Sequence, residues 1–164
     1  MGTRRGINRA RWGSAFVVSA LTAGVLDITY AILFSYFRSG TTPARLLQSV
    51  ASGALGRDAY AGGAATAALG LGFHFLIAFI ITAVFFAAAA RVPALTSHPA
   101  VTGALYGIGV YLVMNFVVIP LSKIGPRPLP AAIVVVTGVL VHMFLIGFPI
   151  ASGARRAFRT GSLR

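Results

Sequence analysis

Four long apolar stretches decide what this chain can fold into. They cover residues 14–37, 63–90, 99–121 and 130–151, and proline, arginine or lysine stands near their ends. About 20 consecutive apolar residues are enough for a helix to cross a hydrocarbon core of roughly 30 Å. Inside a bilayer, a single segment can satisfy its own backbone hydrogen bonds only as a helix. The sequence therefore predicts an all-α integral membrane protein, a bundle of four transmembrane helices.

The composition and the placement of charge agree with this prediction. Of 164 residues, 57% are hydrophobic and 10% are charged, and the mean hydropathy is +0.87. Soluble domains contain about 25% charged residues. The formal charge of +12 comes from 14 Lys and Arg, which stand mostly at the ends of the apolar stretches. This placement predicts contact with the lipid bilayer and its anionic head groups, and no nucleic acid as a partner.

The distribution of the basic residues also predicts an orientation. With four spans, both chain ends and the loop between spans two and three share one side, which carries nine basic residues: Arg4, Arg5, Arg9, Arg11, Arg91, Arg155, Arg156, Arg159 and Arg164. The opposite side carries five: Arg38, Arg45, Arg57, Lys123 and Arg127. Cytoplasmic loops hold the excess of Lys and Arg. We therefore expect residues 1–13 and 152–164 to form basic cytoplasmic ends.

A short amphipathic helix is predicted between spans one and two, at about residues 43–56. Thr42 can cap it, Pro43 suits its first turn, and Gly53 and Gly56 weaken its end. Its apolar face holds Leu46, Leu47, Val50 and Ala54. Its polar face holds Arg45, Gln48, Ser49 and Ser52. This pattern predicts a helix that lies on the membrane surface or caps the bundle, with an ordinary loop as the alternative.

Ionisable residues stand inside three of the apolar stretches. Asp27, His74 and His142 lie ten to twelve residues from the same side of the bundle, which is about 15 to 18 Å at 1.5 Å per residue. A charged aspartate facing hydrocarbon costs at least about 2.5 kcal/mol. We therefore expect Asp27 to contact at least one of the two histidines. Asn115 belongs to the same predicted polar cluster but lies nearer the surface.

Small residues accompany the polar ones at helical spacing, which predicts close helix packing. The glycines expected at helix contacts are Gly70, Gly103, Gly107 and Gly138. Gly103 and Gly107 form a GxxxG pair. Such a pair can hold two copies of a chain together, or it can pack two helices of one chain.

Three interpretations of the polar cluster remain open. Asp27, His74 and His142 could be structural hydrogen-bonding groups, in a protein that is an accessory subunit of a larger complex or a homo-oligomer. They could form a proton-linked or small-solute site, because histidine titrates near neutral pH, and Tyr30 and Tyr111 could extend the chain of polar groups. In the third interpretation His74 and His142 ligate a haem b or a metal. The sequence contains no nucleophile elbow, no phosphate loop and no pair of carboxylates, so it does not predict an enzyme.

Several segments resemble a known group of proteins: ILFSYF, LLQSVASGALG, GGAATAALGLGFHFLIAF and GALYGIGVYLVMNFVVIPLS. They are similar to a family of small, uncharacterised bacterial inner-membrane proteins that are distantly YagU-like, and the resemblance covers roughly residues 17–151. It implies a four-span, multi-pass protein of the bacterial inner membrane. For YagU-like proteins a link to acid tolerance is suggested, which would suit a titratable core. The Ala- and Arg-rich composition is also typical of bacteria with GC-rich genomes.

Overall fold

The computed structural model describes residues 9–128 and 130–158, and these residues form helices and short loops without a strand. Four helices are long and apolar enough to cross a membrane. They are α1 (Arg9–Ser39), α3 (Gly63–Arg91), α4 (Pro99–Leu121) and α5 (Ala132–Phe158), and a short α2 (Pro43–Leu55) follows α1. The predictions of an all-helical protein with four helices of membrane-spanning length are therefore confirmed.

The four long helices form a bundle in which α1 and α5 are central. α1 packs against α3 and α5, and α5 packs along α4. α3 and α4 meet through Tyr106, whose hydroxyl donates to the carbonyl of Ile81 over 2.6 Å and whose ring lies edge-on to Phe85. We call the end of the bundle that carries α2 the α2 end. The opposite end, with the start of α1 and the end of α5, is the terminal end.

Aromatic and small side chains fill the terminal end of the bundle. Phe86 and Ile150 are completely or almost completely buried. Trp12 and Phe16 stack on each other, and both lie edge-on to Phe86 with ring centroids 5.7 Å and 5.5 Å away. Offset and edge-on aromatic pairs of this kind add to the burial of apolar surface. This half of the bundle is therefore a closed apolar core.

Two helices contain a π-helical turn, at Met114–Val118 in α4 and at His142–Gly147 in α5. Such turns insert one extra residue into a helix and often occur at functional sites. Gly103 and Gly107 pack directly against the α5 backbone at Gly147 and His142. The GxxxG pair is therefore used inside the chain.

Two of the long helices, α1 and α5, extend clearly beyond the predicted spans. α5 continues to Phe158 rather than ending at residue 151, and Gly153, Ala154 and Ala157 are buried. The reason is that these last turns pack against α1. At Gly153 the two helices are so close that a side chain would collide with Ser19 of α1. Residues 152–158 therefore belong to the bundle and not to a free basic tail. The rest of that tail and most of the basic N-terminus, with several arginines of the orientation argument, lie outside the described residues.

The predicted helix after the first span is present as α2, but its buried face differs from the prediction. Thr42 caps it by accepting from the Arg45 backbone N–H, and Gly56 ends it with a φ of +69°. The polar residues Gln48 and Ser52 are buried, whereas Ala54 is exposed. The reason is that α2 packs closely against α3 at Gly70, where no side chain separates the backbones. α2 therefore caps the bundle.

Hydrogen bonds hold α2 in this position. The Gln48 amide donates to the carbonyl of Gly63 over 3.0 Å, which satisfies a buried polar side chain. The backbone N–H of Lys123 donates to the carbonyl of Gly53 over 2.9 Å. The loop after α4 is thus tied to the same short helix, and α2 closes the bundle between α3 and α4.

Candidate functional site

A cavity of about 130 Å³ lies in the middle of the bundle, and all five helices contribute to its lining. Three lining residues are ionisable: Asp27, His74 and His142. The remaining lining is small or apolar: Ala23, Gly24, Val50, Ile77, Ala78, Ile81, Val110, Met114 and Ile146. The structure thus brings together the three residues that the depth argument placed at one level.

Asp27 and His74 form the closest ionisable pair. His74 Nδ1 lies 4.0 Å from Asp27 Oδ2, and the exposed fractions of the two side chains are 13% and 22%. The other ring nitrogen, Nε2, lies 2.8 Å from the carbonyl oxygen of Gly24 and must donate to it, since a carbonyl only accepts. The expected contact of Asp27 with a histidine is present. It is longer than a direct hydrogen bond, so one water molecule could bridge it.

Gly24 is a partner of His74 that the sequence argument missed. A Cβ atom there would stand 2.8 Å from the Phe75 ring, so only glycine lets α1 approach α3 this closely. The approach puts the Gly24 carbonyl within reach of the imidazole. A signal was available, because Gly24 stands three residues before Asp27 and therefore on the same side of the helix.

His142 faces the cavity from the beginning of the π-helical turn in α5. Its Nδ1 lies 2.8 Å from the carbonyl oxygen of Gly138, one turn earlier, and donates to it. Its ring lies edge-on to Tyr111 with centroids 5.3 Å apart. With Nδ1 engaged, Nε2 is the nitrogen of His142 that can accept or release a proton at the cavity.

The structure does not bring Asn115 to this cavity. The Asn115 amide donates to the Tyr111 carbonyl over 2.9 Å, and both residues line a separate groove of about 500 Å³ that also contains Arg127. One face of α4 meets α5 and holds Gly103, Gly107, Tyr111 and Asn115, which are spaced four residues apart. Val110 and Met114 lie on another face of α4 and line the cavity. Asn115 is therefore not part of a cluster with Asp27, and Tyr111 reaches the site only through its ring contact with His142.

Tyr30 lies three residues after Asp27 on α1, on the side toward the α2 end. Its hydroxyl is buried and has no hydrogen-bond partner within residues 9–128 and 130–158. Its ring stacks on Phe34 with centroids 5.3 Å apart. A buried hydroxyl without a partner costs about 1 to 3 kcal/mol. The described residues do not supply the hydrogen bond that would remove this cost at Tyr30.

His74 and His142 remain the candidate ligands of the haem or metal interpretation. A cavity of about 130 Å³ is far below the roughly 300 Å³ at which small-molecule sites begin. His74 Nε2 is engaged with the Gly24 carbonyl. In the part of the chain that the structure describes, no three His, Asp, Glu or Cys side chains are placed to hold a metal ion.

Comparisons with protein-family models, with curated proteins and with solved structures find no match to this chain. The site itself combines one carboxyl group, two anchored imidazoles and a small cavity inside four apolar helices.

Proposed function

We propose that this chain is a proton-linked membrane protein in which Asp27 and His74 form the central proton-binding site. The observation that carries the proposal is the 4.0 Å approach of His74 Nδ1 to Asp27 Oδ2 at the cavity. We further propose that the protein lies in the bacterial inner membrane with both termini in the cytoplasm. The nine-to-five distribution of basic residues and the positive-inside tendency support that orientation.

The anchored tautomer of His74 lets one proton be shared between two positions. Because Nε2–H donates to Gly24, Nδ1 of the neutral ring carries a lone pair toward Asp27. A proton on the carboxyl group gives two neutral side chains. A proton on Nδ1 gives an imidazolium opposite a carboxylate, an attraction of about 4 kcal/mol at 4 Å in a medium of effective dielectric constant 20. In both states the pair as a whole carries no net charge.

His142 supplies a third position for the proton. Its Nε2 is the ring nitrogen that remains after Nδ1 has bonded to Gly138. The other helices present only apolar side chains to the cavity, Val50 from α2 and Val110 and Met114 from α4. The ionisable groups that face Asp27 across the cavity are therefore the two histidines, and the protonation of Asp27 is coupled to theirs.

Infrared difference spectroscopy of the protein in lipid nanodiscs tests this proposal sharply. The chain contains only two side-chain carboxyl groups, Asp27 and Asp58, and Asp58 is exposed outside the long helices. We expect the carbonyl band of a protonated carboxyl group to change reversibly with pH. Asp27→Asn should abolish the part of this change that arises from the buried carboxyl group, and the matched control Asp58→Asn should retain that part. His74→Gln should move its midpoint, because the pair shares the proton.

A purely structural role gives a different result. The bond from His74 to Gly24 joins α1 to α3, so the histidine would contribute to packing even if no proton were exchanged. The carboxyl band of Asp27 would then not respond to pH in a protein whose helical content and elution profile are normal. That result would overturn the proposed function and favour an accessory or structural protein.

A further inference from the structure

A second cavity of about 210 Å³ lies on the side of the central cavity toward the α2 end. Its lining includes the hydroxyl-bearing residues Ser49 and Ser122, and Arg127. We call it the vestibule. Three residues, Val50, Ile77 and Met114, line both the vestibule and the central cavity, so they form the wall between the two. The two cavities are therefore neighbours separated by one layer of apolar side chains.

We infer that the vestibule, the layer of Val50, Ile77 and Met114, and the central cavity form a one-sided access route for water and protons from the α2 end. The identification of protons as the species that moves rests on the proposed function. The route itself rests on the two cavities and on their shared wall.

One face of α4 follows the whole route. Ser122 and Val118 line the vestibule, Met114 lines both cavities, and Val110 lines the central cavity. These residues are spaced four apart, as expected for one face of a helix. The next residue in the row, Tyr106, hydrogen-bonds across to α3 and joins the core cluster at the terminal end. The row therefore ends in closed packing.

Among the described residues, closed packing lies between the central cavity and the terminal end. Ile146 lines the cavity, belongs to the core cluster and is 4% exposed. Beyond it the cluster continues through Phe85, Phe86 and Ile150, which are at most 2% exposed. Water has no polar partner in such packing. The packing of the described residues thus favours access from the α2 end.

The separating layer limits what can pass. Valine, isoleucine and methionine offer water no hydrogen bond, and apolar constrictions of this kind gate channels by losing their water. Met114 is the most adaptable of the three because its side chain is unbranched and flexible. Cavities of about 130 and 210 Å³ hold a few water molecules but lie below the roughly 300 Å³ of sites for organic ligands. Water and protons therefore fit the route, and larger solutes do not.

Cysteine accessibility tests the route on the full chain, which contains no native cysteine. Single variants Ser122→Cys, Met114→Cys and Val110→Cys are placed in lipid vesicles and exposed to silver ions, which react with thiols, are no larger than a water molecule and do not cross the bilayer. We expect the labelling rate to fall in that order. Leu112→Cys is the matched control, because it lies on the same helix and is 47% exposed on the outer surface of the bundle.

Two further variants define the side from which the reagent enters. Ser39→Cys marks the α2 end and Ser97→Cys marks the terminal end, since both serines are exposed at the ends of helices. Val110→Cys should react when the reagent is on the side of Ser39→Cys. Its reaction only from the side of Ser97→Cys would overturn the inference, and so would no reaction from either side while Ser122→Cys reacts.

The separating layer is tested in the Val110→Cys background. Met114→Ala should raise the labelling rate at residue 110 on the order of tenfold, which corresponds to about 1.4 kcal/mol of barrier. Leu112→Ala should leave that rate unchanged. An equal rate in both variants would show that Met114 does not close the route. These outcomes do not depend on the infrared titration of Asp27, so a failed route and a failed proton site are distinguishable.

Discussion

The contact between α4 and α5 leads to a prediction about Gly103. A Cβ atom on Gly103 would stand 2.7 Å from the carbonyl oxygen of Gly147 and 2.9 Å from the Cα atom of Phe148. Both obstacles are backbone atoms, which cannot rotate away. We therefore expect Gly103→Ala to push the two helices apart and to lower the free energy of unfolding.

The size of this effect follows from the distances. Ordinary contact begins near 3.4 Å, so the new carbon is about 0.7 Å too close to the Gly147 oxygen. A gap of 0.5 to 1 Å forfeits about a quarter to a half of the dispersion attraction at the contact. Overpacking of this kind costs about 1 to 3 kcal/mol, and alanine returns about 0.5 to 1 kcal/mol through its better helix propensity. The net loss should be about 1 kcal/mol and lies between about 0 and 2.5 kcal/mol.

Gly109 supplies a matched control on the same helix. A Cβ atom there would meet nothing within 4 Å, so Gly109→Ala should keep or slightly raise stability. The assay is reversible unfolding in mixed detergent micelles, followed by circular dichroism, with the oligomeric state of each variant measured in parallel. Equal stability of the two variants would refute the argument. A loss of dimer at unchanged stability in Gly103→Ala would instead assign the GxxxG pair to contacts between copies.

Two further results are expected. Gly70→Ala should destabilise the protein by about 1 to 3 kcal/mol and loosen α2, because its new carbon would collide with the Leu47 carbonyl. Gly72→Ala is the control, because its new carbon would meet nothing within 4 Å. Unfolding in micelles measures the stability, and hydrogen exchange of the α2 amides measures the loosening. The purified protein should show no Soret band before or after reduction with dithionite, since the cavity between the histidines is about 130 Å³; a band lost in His74→Ala would contradict this.

The long helices could be predicted from the sequence because apolar length alone requires them. The span at 99–121 agrees with α4, and the span at 63–90 ends one residue before α3 does. The Thr42 cap was also predictable, because capping depends on local sequence. The contact between Asp27 and His74 followed from depth, since positions at one level in a bundle can meet. These features depend on length, spacing and local chemistry.

Features that depend on the identity of a neighbouring helix could not be predicted. Gln48 is polar, and only the close approach of α2 to Gly70, together with the Gly63 carbonyl, makes its burial favourable. The last turns of α5 contain two arginines and a serine, which lower the apolar signal, yet their small residues pack against α1. Asn115 shares a helix face with Gly107, but that face meets α5 and not Asp27.

The two ends of the bundle differ in a way that bears on function. The terminal end is filled by aromatic rings and small residues, and its buried polar group Thr82 bonds to the Ala78 carbonyl of its own helix. The half toward the α2 end contains cavities and two imidazoles, each with one nitrogen that bonds to the backbone. It also contains the Tyr30 hydroxyl, which has no hydrogen-bond partner among the described residues. If the polar residues served only to fix helix packing, each would be satisfied as Thr82 is. Asp27, His74 and His142 instead line one shared cavity, and this arrangement supports the proposed exchange of protons.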